Sequence, residues 1–390
     1  MNQYAAALSL HPIPALAAGE IAGELLDQLG GEAPDLLAIF TSPHHTGAFD
    51  DIVAALDQLL SPASVFGGSA AAVIGGAREV EAQAAISVLA ARFERTASES
   101  FALEFAETPD GPTITGWPDT FASADVDRGA PPGSGPTMLL FADPFSFPVD
   151  AVIGRLRSER PDVTVVGGMA SAASRAHGNR FVFHGGVRTE GTVGVLIDAD
   201  VAVEPIVAQG ARPIGEPFTI TAAERNLVQS LGGEPPLDRF RAMTETLTDA
   251  ERALLRSGLT VGLLVGDDRT FTRTDQLIRG VLGADRTTGA LAVAGEVGVG
   301  QVLQFHVRDS LGADDELRAR LTGCAGRGGL MFTCNGRGQA FFGAPDHDAR
   351  VVEELIGPIP LAGAFCAGEI GPVGGGAHLH TQTASLALFG

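Results

Sequence analysis

Leu36-Leu-Ala-Ile-Phe40, a polar loop, Asp50, Asp51-Ile-Val-Ala-Ala-Leu-Asp-Gln-Leu-Leu60 and Ser64-Val-Phe-Gly-Gly68 read as one unit. An apolar run of strand length is followed by a helical pattern and then by a second apolar run that breaks into glycines. Two parallel strands joined by a crossover helix bury the strands on both faces, which is why neither run alternates with polar residues. The pattern returns at Met138–Phe141, with Asp150, a helix to Arg157, and Val163–Val166 running into Gly167-Gly168. Phe40 to Gly67 is 27 positions and Phe141 to Gly167 is 26. The second half offers two further copies. Thr260–Val265 leads through Asp275 and an expected helix Gln276–Leu282 to Ala290–Gly295. Leu330–Phe332 leads through Asp348 and the helical Ala349–Ile356 to Ile359–Gly363. The recurring Asp is expected to cap each helix, its carboxylate accepting the free N–H groups of the first turn.

Alternating segments lie between the units: Arg180–His184, Gly191–Ile197, Gln301–Val307 and Thr383–Phe389. They predict antiparallel strands. The expected fold is therefore α/β, two domains of mixed parallel and antiparallel sheets built from repeated strand–helix–strand units. The Gly- and Pro-rich stretch Gln209–Pro217 suggests the break, giving residues 1–210 and 211–390. Residues 219–257 are expected to form a helical lead-in to the second domain. Residues 108–137, rich in Pro and Gly and holding Trp117, the sole tryptophan, read as a long loop, either an insertion or a lid.

A chain of 390 residues is long enough for two cores, and 45% hydrophobic content places it among folded globular proteins. No run of 18 apolar residues is present and the N-terminus lacks a basic, then apolar start, so neither a membrane span nor a secretory signal is expected. The three cysteines, Cys324, Cys334 and Cys366, have neither metal-type spacing nor an even count for a disulfide framework. A reduced, cytoplasmic protein is the expectation. A formal charge of −21 disfavours nucleic acid and anionic membrane surfaces as partners.

The candidate site lies where apolar runs end in glycine loops that hold a few polar groups. The first is Cys334-Asn-Gly-Arg-Gly338 and the second Gly368-Glu-Ile-Gly371. Arg337 offers a planar fork for a carboxylate, and Glu369 a counter-charge for an ammonium. Glu296, in Gly295-Glu-Val-Gly298, echoes Glu369. Cys334, Asn335, Gly336, Arg337, Glu369, Glu296 and His380 are the candidate ligand-binding residues. Arg337 and Glu369 pairing with each other, pinning two loops, is the structural alternative. Cys334 as nucleophile with His380 as base, in a hydrolase or transferase, is the enzymatic one. His378 and His380 share one strand face, yet no third metal ligand is evident. Gly295–Gly300 and Gly323–Gly329 match neither a dinucleotide nor a P-loop fingerprint. No cofactor and no metal are expected.

The order of these pieces resembles the FIST family, named for F-box and intracellular signal transduction proteins. Leu36–Phe40, Val65–Ala70, Val165–Ala170 and the segment Gly191–Ile197 resemble its N-terminal module. Arg279, Gly300, Phe305–Asp309, Phe332–Gly338, Gly368–Pro372 and Leu379–Thr383 resemble its C-terminal module. The resemblance implies a sensory, ligand-binding protein of signal transduction, with a small polar metabolite such as an amino acid as ligand. It leaves no length for an output domain, so a protein signalling partner is expected to carry the signal.

Overall fold

The computed structural model describes residues 1–95, 98–109, 111–119, 133–264 and 276–390. The chain packs as two units that are not successive in sequence. The first comprises residues 1–208, 317–379 and 383–390; the second comprises 209–316 and 380–382. The first unit thus takes in much of what a linear division at residue 210 assigns to the second half.

Three sheets build the first unit, and each contains the same trio of strands. Leu36–Thr41 pairs parallel with Ser64–Ser69 and antiparallel with Ile86–Arg92. Thr137–Ala142 pairs parallel with Thr164–Met169 and antiparallel with Thr192–Ile197. Gly328–Cys334 pairs parallel with Leu361–Cys366 and antiparallel with Thr383–Phe389. The crossover helices are Phe49–Leu60, Val149–Glu159 and His347–Ile356. Each presents an apolar stripe to its own sheet, for example Ile52, Val53 and Leu56 in the first.

Register explains the matching glycines. Gly67 lies opposite Ile39, Gly167 opposite Leu140 and Gly363 opposite Met331. A Cβ at these three positions would fall 2.1, 1.9 and 2.0 Å from the facing carbonyl oxygen. Only glycine lets the paired strands approach this closely. One residue beyond those partners, Phe40, Phe141 and Phe332 all point into a core shared by the three sheets. Their ring centroids are 5.4, 5.8 and 6.4 Å apart, distances at which tilted and edge-to-face aromatic pairs attract. The last turns of the three strands are therefore gathered around one aromatic cluster.

The expected capping role of the aspartates is corrected. The N-cap positions are Ala48, Pro148 and Asp346, and Asp50, Asp150 and Asp348 each sit two residues further in, inside the first turn. There they still oppose the positive end of the helix dipole.

The second unit holds a closed barrel of six strands, among them Leu259–Leu264, Gln276–Ala284 and Val302–Arg308. The expected strand–helix–strand copy at 260–295 is thus overturned. Gln276–Leu282 is strand, antiparallel to Leu259–Leu264, with Gln276 opposite Leu264 and Gly280 opposite Thr260. Seven residues with two apolar pairs around an arginine and a glycine suit a short strand as well as a helix, and closing the barrel decides between them. Asp275 lies outside the described residues. The helical lead-in is also only part of the story. Helices Pro236–Thr246 and Asp249–Leu254 follow two barrel strands, Ala211–Glu224 and Leu227–Leu231.

Within residues 108–137, Gly111–Thr115 forms a strand paired with Ser98–Thr108. Trp117 Nε1 donates to the Ile114 carbonyl at 3.1 Å and its ring lies 5.1 Å from the Arg155 guanidinium. Residues 120–132, on which the lid reading depends, lie outside the described residues.

Candidate functional site

The site grows from the carboxyl ends of the third parallel pair, Gly328–Cys334 and Leu361–Cys366. Beyond Cys334 the chain makes a single 3-10 turn, Asn335–Arg337. The Gly336 N–H donates to Cys334 Sγ at 3.5 Å, and Asn335 is exposed while Cys334 is half-buried. The turn swings Arg337 back into the protein, where 1% of it remains exposed.

There the guanidinium meets Asp348, in the first turn of helix His347–Ile356. Arg337 Nε donates to Oδ2 at 2.8 Å and Nη2 to Oδ1 at 2.9 Å, a two-pronged pair. Thr333 Oγ1 donates to Oδ2 at 2.8 Å, and His347 Nδ1 lies 2.9 Å from Oδ1. Asp348 is fully buried. Burial alone would raise its pKa, but the Arg337 charge, backed by His347 and the hydrogen bonds, holds it down to about 2. Arg337 also lies over the Phe342 ring at 5.3 Å, and that ring stacks on His347.

Two more carboxylates share this interior. Glu79, 7% exposed on the edge strand Arg78–Glu81, accepts the Ala349 N–H through Oε1 at 3.0 Å. Burial and the neighbouring Asp348 charge push its pKa up to about 8. Glu369 opens strand Glu369–Val373, opposite Gly168, and is fully buried. Its Oε2 accepts the Thr383 N–H at 3.1 Å, while Oε1 is buried without a hydrogen bond of normal geometry. Burial raises its pKa well above its ordinary value, only partly offset by the Thr383 amide, the Arg337 charge and the Cys334 thiol. One guanidinium held by Asp348 leaves Glu79 largely protonated at neutral pH and Glu369 with its pKa raised by burial.

Cys334, Asn335, Gly336, Arg337 and Glu369 are thus brought into one neighbourhood of the first unit. Glu296 is not part of it; it is exposed in the barrel unit. His380 is fully buried at the end of strand Gly376–His380 and groups with the barrel unit. His378 lies 3.0 Å from the Arg157 guanidinium through Nδ1. Three members of the cluster escape a reading of the sequence. Asp348 looks like any helix-start aspartate, Glu79 lies in a four-residue strand with no motif, and Cys366 reads as a small core residue. The only local hint is that Asp348 recurs at the position of Asp50 and Asp150.

Fold and site together define a mixed α/β protein with a glycine-lined polar cluster at parallel strand ends, joined in sequence to a β-barrel. The chain belongs to the FIST family, whose domains are associated with signal transduction. The FIST N domain matches residues 35–234 and the FIST C domain residues 239–372. An uncharacterized protein of Mycobacterium bovis is 42% identical over 381 residues, covering 96% of this chain and 95% of the relative. A second uncharacterized protein, from Mycobacterium tuberculosis, is 40% identical over 380 residues, covering 96% of each chain. Among the described residues no helix is long and apolar enough to cross a membrane.

Proposed function

We propose that this chain is a sensory protein of signal transduction that binds a small polar metabolite bearing an amine, such as an amino acid, at the Cys334–Gly336 turn. The observation that supports this reading is Glu369, a fully buried carboxyl beside the turn whose partners are the Thr383 amide and the Cys334 thiol, with no cation paired to it by hydrogen bonds among the described residues. A buried carboxylate is costly without a counter-charge, and a ligand ammonium supplies one. In this reading Glu369 takes the ammonium, and Asn335 and the backbone of Gly336 face the rest of the ligand. Arg337 acts through Asp348, which fixes the turn; its fork is already filled and does not take the ligand carboxylate directly. Binding changes the conformation of the turn, and a protein partner reads that change.

Burial raises the Glu369 pKa and a bound ammonium lowers it, so in this reading binding is expected to release a proton. Calorimetric titration with amino acids and small amines, in two buffers of different ionisation enthalpy, should show that release and a raised melting temperature. Glu369→Gln should abolish both. A ligand that stabilises Glu369→Gln as much as the parent protein, or that binds without moving a proton, would remove the basis for this assignment.

A further inference from the structure

Cys334 and Cys366 are register partners on adjacent parallel strands, each the last residue of its strand. Partner Cα atoms in neighbouring strands lie about 4.8 Å apart, inside the ~4.4–6.8 Å range that a disulfide spans. Both side chains leave the same face of the sheet, the face that also carries Phe332 and Ala364. Burial is the larger cause that raises the Cys366 pKa, and the nearby Glu369 and Cys334 groups add to it. Both cysteines are reduced here. Cys334 is half-buried and Cys366 fully buried, so Cys334 is the more accessible residue of the two.

From this pairing we infer that Cys334 and Cys366 form a redox-active dithiol, oxidised to an intramolecular disulfide by a small-molecule disulfide. In the first step the deprotonated Cys334 sulfur attacks one sulfur of the reagent. The reagent's S–S bond breaks and one small thiol leaves, taking up a proton. Cys366 then gives up its proton and attacks the Cys334 sulfur, the mixed S–S bond breaks and the second small thiol leaves. The two cysteines lose two electrons and two protons, and the reagent gains both. Paired side chains in a parallel sheet start slightly too far apart at Cβ for an unstrained bridge. The 3-10 turn directly after Cys334 supplies the movement needed. The product would tie the two strand ends together and take the Cys334 thiol away from Glu369. This inference uses the same strand ends as the ligand site but does not rest on ligand binding.

The test treats the whole protein, without ligand, with oxidised glutathione, followed by intact-mass and peptide mapping under non-reducing conditions. The expected result is a loss of two hydrogens in mass, a Cys334–Cys366 linked peptide, and Cys324 unmodified. Cys366→Ser should stop at one glutathione on Cys334, and Cys334→Ser should leave Cys366 unreacted. A wild-type protein that accumulates glutathione on Cys334 with no cross-link would overturn the proposal. Oxidation that runs through Cys324 would do the same. Both readouts are masses, so failure here leaves the calorimetric test of Glu369 untouched.

Discussion

Arg337 holds one buried carboxylate, Asp348, in its charged form. Its two-pronged pair with Asp348, joined by Thr333 and His347, gives that buried carboxylate the hydrogen bonds that keep it ionised. Removing Asp348 strands the guanidinium, so Asp348→Ala should cost about 3–5 kcal/mol in urea unfolding. Arg337→Lys should recover little of the stability lost in Arg337→Ala, because an ammonium cannot fill both oxygens. Glu79 behaves in the opposite sense. Its folded pKa is raised, to about 8, from an ordinary 4.5. The stability it contributes is therefore fully present below pH 4.5 and is lost as pH rises through about 8. Glu79→Gln should flatten that part of the stability–pH curve, measured by chemical unfolding at a series of pH values. Asp348, held down to about 2, should leave its mark only in acid, its contribution fading as pH falls from its ordinary 3.8 through 2. At this scale the sequence marks Arg337 and Glu369 as unusual, since both are charges in glycine turns. The rest of the cluster is hidden, because Asp348 looks like any helix-start aspartate and Glu79 comes from a strand more than 250 positions away from Arg337.

The three strand–helix–strand units give the element scale its logic. Their common spacing is visible in the sequence because it serves a common contact, a glycine against a carbonyl and a phenylalanine in the shared core. Gly167→Ala should cost about 1–3 kcal/mol or more, since its Cβ would need to lie 1.9 Å from the Leu140 carbonyl oxygen. Gly154, within helix Val149–Glu159, has open space at its Cβ position. Gly154→Ala should therefore stabilise by about 0.4–1 kcal/mol, and the pair of variants, compared in one denaturant series, separates close approach from simple flexibility. The fourth supposed unit misleads for a physical reason. Thr260–Leu264 and Gln276–Leu282 are short apolar runs, and at that length helix and strand bury comparable surface. The difference lies in pairing partners such as Val302–Arg308, which local periodicity does not reveal.

For the whole molecule, the two halves seen along the sequence are not the two bodies that pack. Three units around one aromatic centre, Phe40, Phe141 and Phe332, belong together although the third is written after the barrel. Nothing local in residues 317–379 announces this return, because the evidence for it is a set of contacts with distant residues, Phe332 meeting Phe141 and Phe40. The barrel has its own buried cluster, including Ile220, Val261, Val293 and Phe305. Differential scanning calorimetry should accordingly resolve two unfolding transitions, and Phe305→Ala should lower one of them selectively.

The interleaved chain order also bears on biosynthesis. Strand Gly328–Cys334 completes the phenylalanine cluster, and Thr383–Phe389 flanks it. On a translating ribosome the barrel segment emerges whole while the unit begun first still lacks its final third. The polypeptide that starts to fold earliest is thus the one obliged to wait, holding two aromatic-edged sheets open for the time it takes to synthesise more than a hundred further residues. Such an intermediate is a natural client for a chaperone.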